Sequence, residues 1–259
     1  MNAFTLIQNL RYNAIKGGEM HMTQTIVVMH GMRRGKQNQL LMEELDSVAQ
    51  QIEGTFDVAF IESDELSLPQ VIRKHLWEGE TSFVIVPLLL FSGRHYLQDL
   101  PEVMRQMQLM FPSITYEIRQ PLCDHPSLTK WINQRIEAWP DAHTPGSAIV
   151  LIGHGSPIVT EPDAEIDDIA TRITTDLPVY TMMFYGDKQF EGLLPEMKED
   201  YDQIYVIPIF FYDGFLVNKI KKKIEKIKGD SNITIASALN FEPELDEMLI
   251  DRLNQKEAV

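Results

Sequence analysis

Three residues able to hold a divalent metal follow three apolar runs in this chain. His30 follows TIVVM in TIVVMHGMRRGK, Glu62 follows the run ending in AFI, and His95 lies just past VIVPLLLFSG in VIVPLLLFSGRHYLQDLPE. Two imidazoles and a carboxylate suit a divalent first-row ion. The imidazoles must be neutral to bind, so metal and proton compete for the same nitrogens. Each residue also has a plain structural reading: His30 as a turn residue, Glu62 as a solvated loop carboxylate beside Asp64 and Glu65, and His95 as a loop histidine. Arg33, Arg34 and Lys36 read either as a solvated helix start or as a site for an anion. The helix macrodipole disfavours cations at an N-terminus, which favours the anion.

The elements around these residues decide whether they can meet. Apolar runs at 25–29, 56–61, 83–91 and 114–118 alternate with helical spacing at 37–53, around 67–78 and at 96–110. Continuous apolar strands separated by helices predict a parallel sheet covered on both faces. In such a sheet ligands gather beyond the carboxyl ends of the strands, the rim on which His30, Glu62 and His95 would stand.

The scheme then repeats. TIVVMHGMR resembles AIVLIGHGSP, FVIVPLLLFSGRHYLQDL resembles IYVIPIFFYDGFLVNKI, and HPSLTKWINQRI resembles EPELDEMLIDRL, in the same order and about 120 residues apart. The expected fold is therefore α/β, with two similar doubly wound, Rossmann- or flavodoxin-like lobes whose parallel sheets face a central cleft. The expected division is an N-terminal lobe over 22–138 carrying the metal site, a linker at 139–147 (WPDAHTPGS), and a C-terminal lobe over 148–259. Residues 1–21 are expected to be a non-native or disordered extension. KGGE at 16–19 can be encoded by a ribosome-binding sequence directly before Met20, so the expected start is Met20 or Met22.

The second half has kept less chemistry. His154 in GHGSP matches His30, but Leu216 stands where His95 stands, Asp213-Gly214 replaces Ser92-Gly93, and no carboxylate clearly matches Glu62. His154 is accordingly read as structural or secondary. The basic run NKIKKKIEKIKG at 218–229 fits a solvated helix face and a polyanion-receiving face equally well, and MRQMQLMF at 104–111 reads as core rather than interface.

Composition removes several classes. A net charge of −15 argues against nucleic-acid binding, and no apolar run reaches membrane-spanning length. The single cysteine, Cys123, allows neither an internal disulfide nor a cysteine-held cluster. It fits a reducing cytoplasm.

Taken together, HGMR with Asn38, FIES at 60–63, VPLLLFSGRHYLQDLPE at 86–102, GHGSP at 153–157 and IPIFFYDGFLVNKI at 207–220 resemble the class II chelatases. Within them the resemblance is to the sirohydrochlorin ferrochelatases and the early-insertion cobaltochelatases. It covers the chain from about residue 24 to 253. It implies a chelatase-like bilobed fold with a tetrapyrrole in the cleft, His30 and His95 as the metal-handling pair, and Glu62 as their acidic partner. Met32 departs from the serine often found there.

The implied function is insertion of Fe2+ into sirohydrochlorin, with cobalt or nickel insertion as the alternative and a non-catalytic cytosolic metal or tetrapyrrole carrier as the reading from a different class. The implied catalytic set is His30, His95 and Glu62. No organic cofactor is expected; Fe2+ or Co2+ is the metal substrate. Arg33, Arg34, Lys36 and Arg94 would receive the substrate's carboxylates, for which charge-assisted bonds are well suited. The expected assembly is a monomer or homodimer.

Overall fold

The computed structural model describes residues 23–30, 36–63, 66–139 and 144–255. Two four-stranded parallel sheets carry the fold. The first contains β1 (Gln24–Met29), β2 (Phe56–Phe60), β3 (Ser82–Leu88) and β4 (Thr115–Ile118) in the order β2-β1-β3-β4. The second contains β5 (Ser147–Gly155), β6 (Val179–Tyr185), β7 (Gln203–Pro208) and β8 (Asn232–Ile235) in the matching order β6-β5-β7-β8. Every pairing is parallel. In each sheet the winding reverses beside its first strand, between β1 and β3 and between β5 and β7, the switch point where α/β sheets open a crevice.

The helices between strands are α1 (Lys36–Ala49), α2 (Leu68–Trp77), α3 (Leu100–Met110) and α4 (Pro126–Glu137) in the first half. In the second half they are α5 (Glu161–Thr171), α6 (Phe190–Met197), α7 (Phe215–Lys228) and α8 (Pro243–Asn254). None is long and apolar enough to cross a membrane among the described residues.

Each sheet packs its outer face on its own helices. Ile26, Val28, Ile85 and Met104 form one such cluster, and Val150, Ile152, Val206 and Ile224 the other. The inner faces share a single core in which Met29, Phe91 and Trp131 join Ile149, Leu151 and Leu249. Trp139 stacks on Tyr205 at 4.5 Å, tying the connection between the halves to β7. The expected extension at 1–21 lies outside the described residues, as do 140–143 of the expected linker.

Two elements differ from the sequence expectation for clear reasons. The apolar run 83–91 was expected to be one strand, yet β3 ends at Leu88, paired with Met29, the last residue of β1. Leu90 and Phe91 stay buried because they enter the shared core, so their apolar character reflects tertiary burial rather than strand. The helix expected from 96 begins instead as a π-helical turn over His95–Asp99, closed by the Leu100 amide donating to the His95 carbonyl. Pro101 explains the widening. It has no N–H for the Leu97 carbonyl, and its ring would collide with that carbonyl in a regular α-turn.

In the Met-rich stretch, Met104 and Met107 are core residues, whereas Leu109 and Met110 are exposed.

Candidate metal centre

His30 directly follows β1, and the backbone carries it to Glu62. Beyond the last β1–β2 pair the ladder runs on: the Ile61 amide donates to the Met29 carbonyl at 2.8 Å, and the Glu62 amide to the His30 carbonyl at 3.0 Å. This registers the two side chains on the same rim. His95 reaches it from the far side of β1, at the start of the π-turn. Its ring meets the His30 ring edge-on, with centroids 4.5 Å apart, and its Nε2 lies 4.0 Å from Glu62 Oε1. One ligand atom from each of His30, Glu62 and His95 falls within 4.8 Å of the others. These three strand-end residues, distant in sequence, converge with the spacing of a single ion's ligands.

Sequence reasoning missed the residue that aims His95. Asp99 Oδ2 lies 2.8 Å from His95 Nδ1, one π-turn along. A carboxylate accepts, so Nδ1 carries the proton and Nε2 keeps its lone pair toward Glu62. A carboxylate on the back of a metal-binding imidazole fixes its tautomer and the direction of its ring. The only trace in the sequence was the HYLQD spacing, which an ordinary helix shares. Arg94 is exposed and pairs with Asp99 Oδ1 at 3.4 Å. Arg33 and Arg34, with Met32, lie outside the described residues, as does the side chain of Lys36.

The second sheet shows why it offers no equal centre. The pairing registers match Val28 with Ile152 and Pro87 with Pro208, which places His154 where His30 stands. Counting from Ala59 and Met182 in the same way, Tyr185 occupies the place of Glu62. Its ring packs 5.3 Å from that of His154. Asp213 is spent on its own loop, accepting from the Ala238 amide at 3.1 Å and pairing with Lys221 at 3.0 Å.

His154 itself stands near the carboxyl end of β5, with Nδ1 donating to the Gly155 carbonyl at 2.8 Å. Its basicity is lowered by burial and, in smaller part, by the charges His30 and His95 can carry. His154 is not among the converging ligands.

Fold and site together define an α/β protein of two similar parallel sheets, with three residues at the strand ends of the first sheet that could hold a divalent cation. The CbiX family model matches residues 24–138 and 148–256, and the chain belongs to that family. It is similar to the sirohydrochlorin ferrochelatase of Bacillus subtilis, 25% identical over 212 residues that cover 78% of this chain and 79% of that one. It is likewise similar to the sirohydrochlorin ferrochelatase of Priestia megaterium, 26% identical over 74% of each chain. A sirohydrochlorin cobaltochelatase of Methanococcus maripaludis matches 84 residues at 27% identity, 32% of this chain and 58% of that protein. Among solved structures, SirB from Bacillus subtilis with Fe3+ superposes with a TM-score of 0.76 over 90% of this chain and 94% of that one, at 22% identity. A SirB complex with cobalt gives 0.69 over 89% and 94%, also at 22% identity.

Proposed function

We propose that this protein is a sirohydrochlorin chelatase that inserts Fe2+ into sirohydrochlorin to give sirohaem. One observation carries the reading: His30, Glu62 and His95 present ligand atoms within 4.8 Å of one another, beyond the strand ends of the first sheet, in a chain of the CbiX family. The names of the full-length relatives support the substrate and the iron.

Insertion requires the ion to shed water and the ring to lose pyrrole protons. His30 and the Asp99-backed His95 hold the incoming metal through neutral nitrogens. Glu62 offsets its charge, and the same nitrogens accept protons once the metal has left them. General-base assistance of this kind is worth about 10²- to 10⁴-fold. Arg33, Arg34, Lys36 and Arg94 receive the carboxylates of the macrocycle, supplying a local basic patch on a chain of net charge −15.

Cobalt is the second reading, favoured by the cobaltochelatase match and by the general preference of N/O sites for Co2+ over Fe2+. The lobes are assigned as 22–138 and 148–259 joined by 139–147, with 1–21 outside the functional unit. The buried single cysteine supports a cytoplasmic setting, and the presence of both sheets in one chain supports a monomer.

The test is an anaerobic assay of sirohydrochlorin with Fe2+, Co2+ or Ni2+, followed by its absorbance change. Multiple turnovers faster with Fe2+ support the proposal. Faster turnover with Co2+ moves the assignment to the cobalt reaction, and stoichiometric binding without acceleration replaces enzyme with carrier.

A further inference from the structure

The metal centre lies on the first sheet, but the segment that delivers His95 is held by the second. Ser92, three residues before His95, is buried, with 7% of its surface exposed. Its backbone N–H donates to Glu165 Oε2 on α5 at 2.8 Å. Just downstream, Gly93 begins the turn, its carbonyl accepting from the Tyr96 and Leu97 amides at 3.0 Å. The chain from the Glu165 contact to the His95 imidazole is thus a short hydrogen-bonded segment. Nearby, Arg172 at the end of α5 donates to the Cys123 and Asp124 carbonyls at 2.9 Å. That second contact joins the same helix to the first lobe through the 123–124 backbone rather than through the Ser92 amide.

A carboxylate is a costly choice for this junction. Burial pushes the Glu165 carboxyl up, and the neighbouring Ser92 and Cys123 groups offset only part of that rise. Core packing alone would have served better with an apolar side chain, as Ile166 and Ile169 on the same helix do. A half-buried carboxylate acceptor aimed at one backbone amide fixes that amide's position in a way apolar contact cannot.

We propose that Glu165 is a positioning residue for the metal centre: by receiving the Ser92 N–H across the lobe junction it sets the height and direction of His95, so the second lobe completes a site whose ligands all lie on the first. The inference rests on the reading of His30, Glu62 and His95 as metal ligands.

The experiment titrates the full chain with Co2+, following its visible ligand-field bands, and measures tetrapyrrole KM and melting temperature alongside. Glu165→Ala weakens Co2+ binding by about 10-fold or more, the scale on which residues behind metal ligands act, while tetrapyrrole KM stays near wild type. Glu165→Gln, whose amide oxygen still accepts from Ser92, restores Co2+ affinity to within about 3-fold. Arg172→Ala loosens the junction elsewhere and leaves Co2+ affinity near wild type. Should Glu165→Ala not fold, Glu165→Asp, one methylene too short to reach, is expected to show the same weakening.

Wild-type Co2+ affinity in both Glu165→Ala and Glu165→Asp overturns the inference, as does an equal loss in Arg172→Ala. His95→Ala separates the two levels. If it binds Co2+ as wild type does, the ligand reading itself fails; if it loses Co2+ while the Glu165 variants do not, only the positioning role fails.

Discussion

Removing the Asp99 carboxylate should unfasten one of the two histidines proposed to bind the metal without dismantling the fold. The His95 Nδ1–Asp99 Oδ2 bond is 2.8 Å long, with 25% of the His95 and 28% of the Asp99 side chain exposed. A hydrogen bond to a charged group contributes about 1.5–3 kcal/mol net. Partial exposure places this one in the lower part of that range, about 1.5–2 kcal/mol, because solvent competes for both partners. At about 1.4 kcal/mol per tenfold, Asp99→Ala should lower kcat/KM for the metal by roughly 10- to 30-fold.

Asp99→Asn, which retains an acceptor oxygen and loses only the charge, should lose less, under about 10-fold. The assay varies Fe2+ or Co2+ at saturating sirohydrochlorin under anaerobic conditions, then varies sirohydrochlorin at saturating metal. The loss belongs in the metal series. Asp99→Ala activity within twofold of wild type, or a loss appearing wholly in tetrapyrrole KM, would refute the orienting role.

Further outcomes follow from other parts of the molecule. His30→Ala and His95→Ala should each cut turnover by about 10²-fold or more while leaving tetrapyrrole binding, measured by fluorescence quenching, largely intact; normal turnover in both removes the site assignment. Neutralising Arg33 and Arg34 together should raise the KM for sirohydrochlorin and flatten its dependence on salt, and an unchanged salt response argues against a role in carboxylate binding. Glu44 on α1 is pushed up to about 7 by burial and by its hydrogen bond and charge repulsion with Asp246 on α8. Between pH 4.5 and about 7 the folded state therefore holds a proton that the unfolded chain has released, a contribution complete below 4.5 and lost as pH rises through 7. Glu44→Gln should reduce the fall in melting temperature across that window, and parallel curves for variant and wild type would sink the idea. Gly155 has φ +68°, and a Cβ there would stand 2.0 Å from the Tyr185 carbonyl oxygen. Gly155→Ala should destabilise the fold by about 1–3 kcal/mol in urea, and a neutral result would mean the β5 edge is more yielding than its packing indicates.

Much of this was legible before any coordinates. Period and composition set the alternation of apolar runs and helices, because a strand covered on both faces leaves no polar alternation to hide it. The internal repeat announced two sheets of one design, and strand-end position marked His30, Glu62 and His95. Tertiary structure decided the rest. Val84 to Phe91 reads as one apolar run, but its last residues are apolar for the sake of a core shared between the lobes, which no local pattern records. The π-turn at His95 depends on Pro101 meeting a helix already under way, and nothing local marks Asp99, among the chain's many carboxylates, as the partner of a site histidine.

Glu165 is the clearest case of the limit. It stands more than seventy positions from Ser92 in a helix of unremarkable sequence, and only the packing of one lobe on the other brings carboxylate and amide to 2.8 Å. Sequence determined which residues could do the chemistry, since residue type and strand-end position are local. The precision with which they are held depends on contacts between distant elements, and those exist only once both lobes have folded and docked.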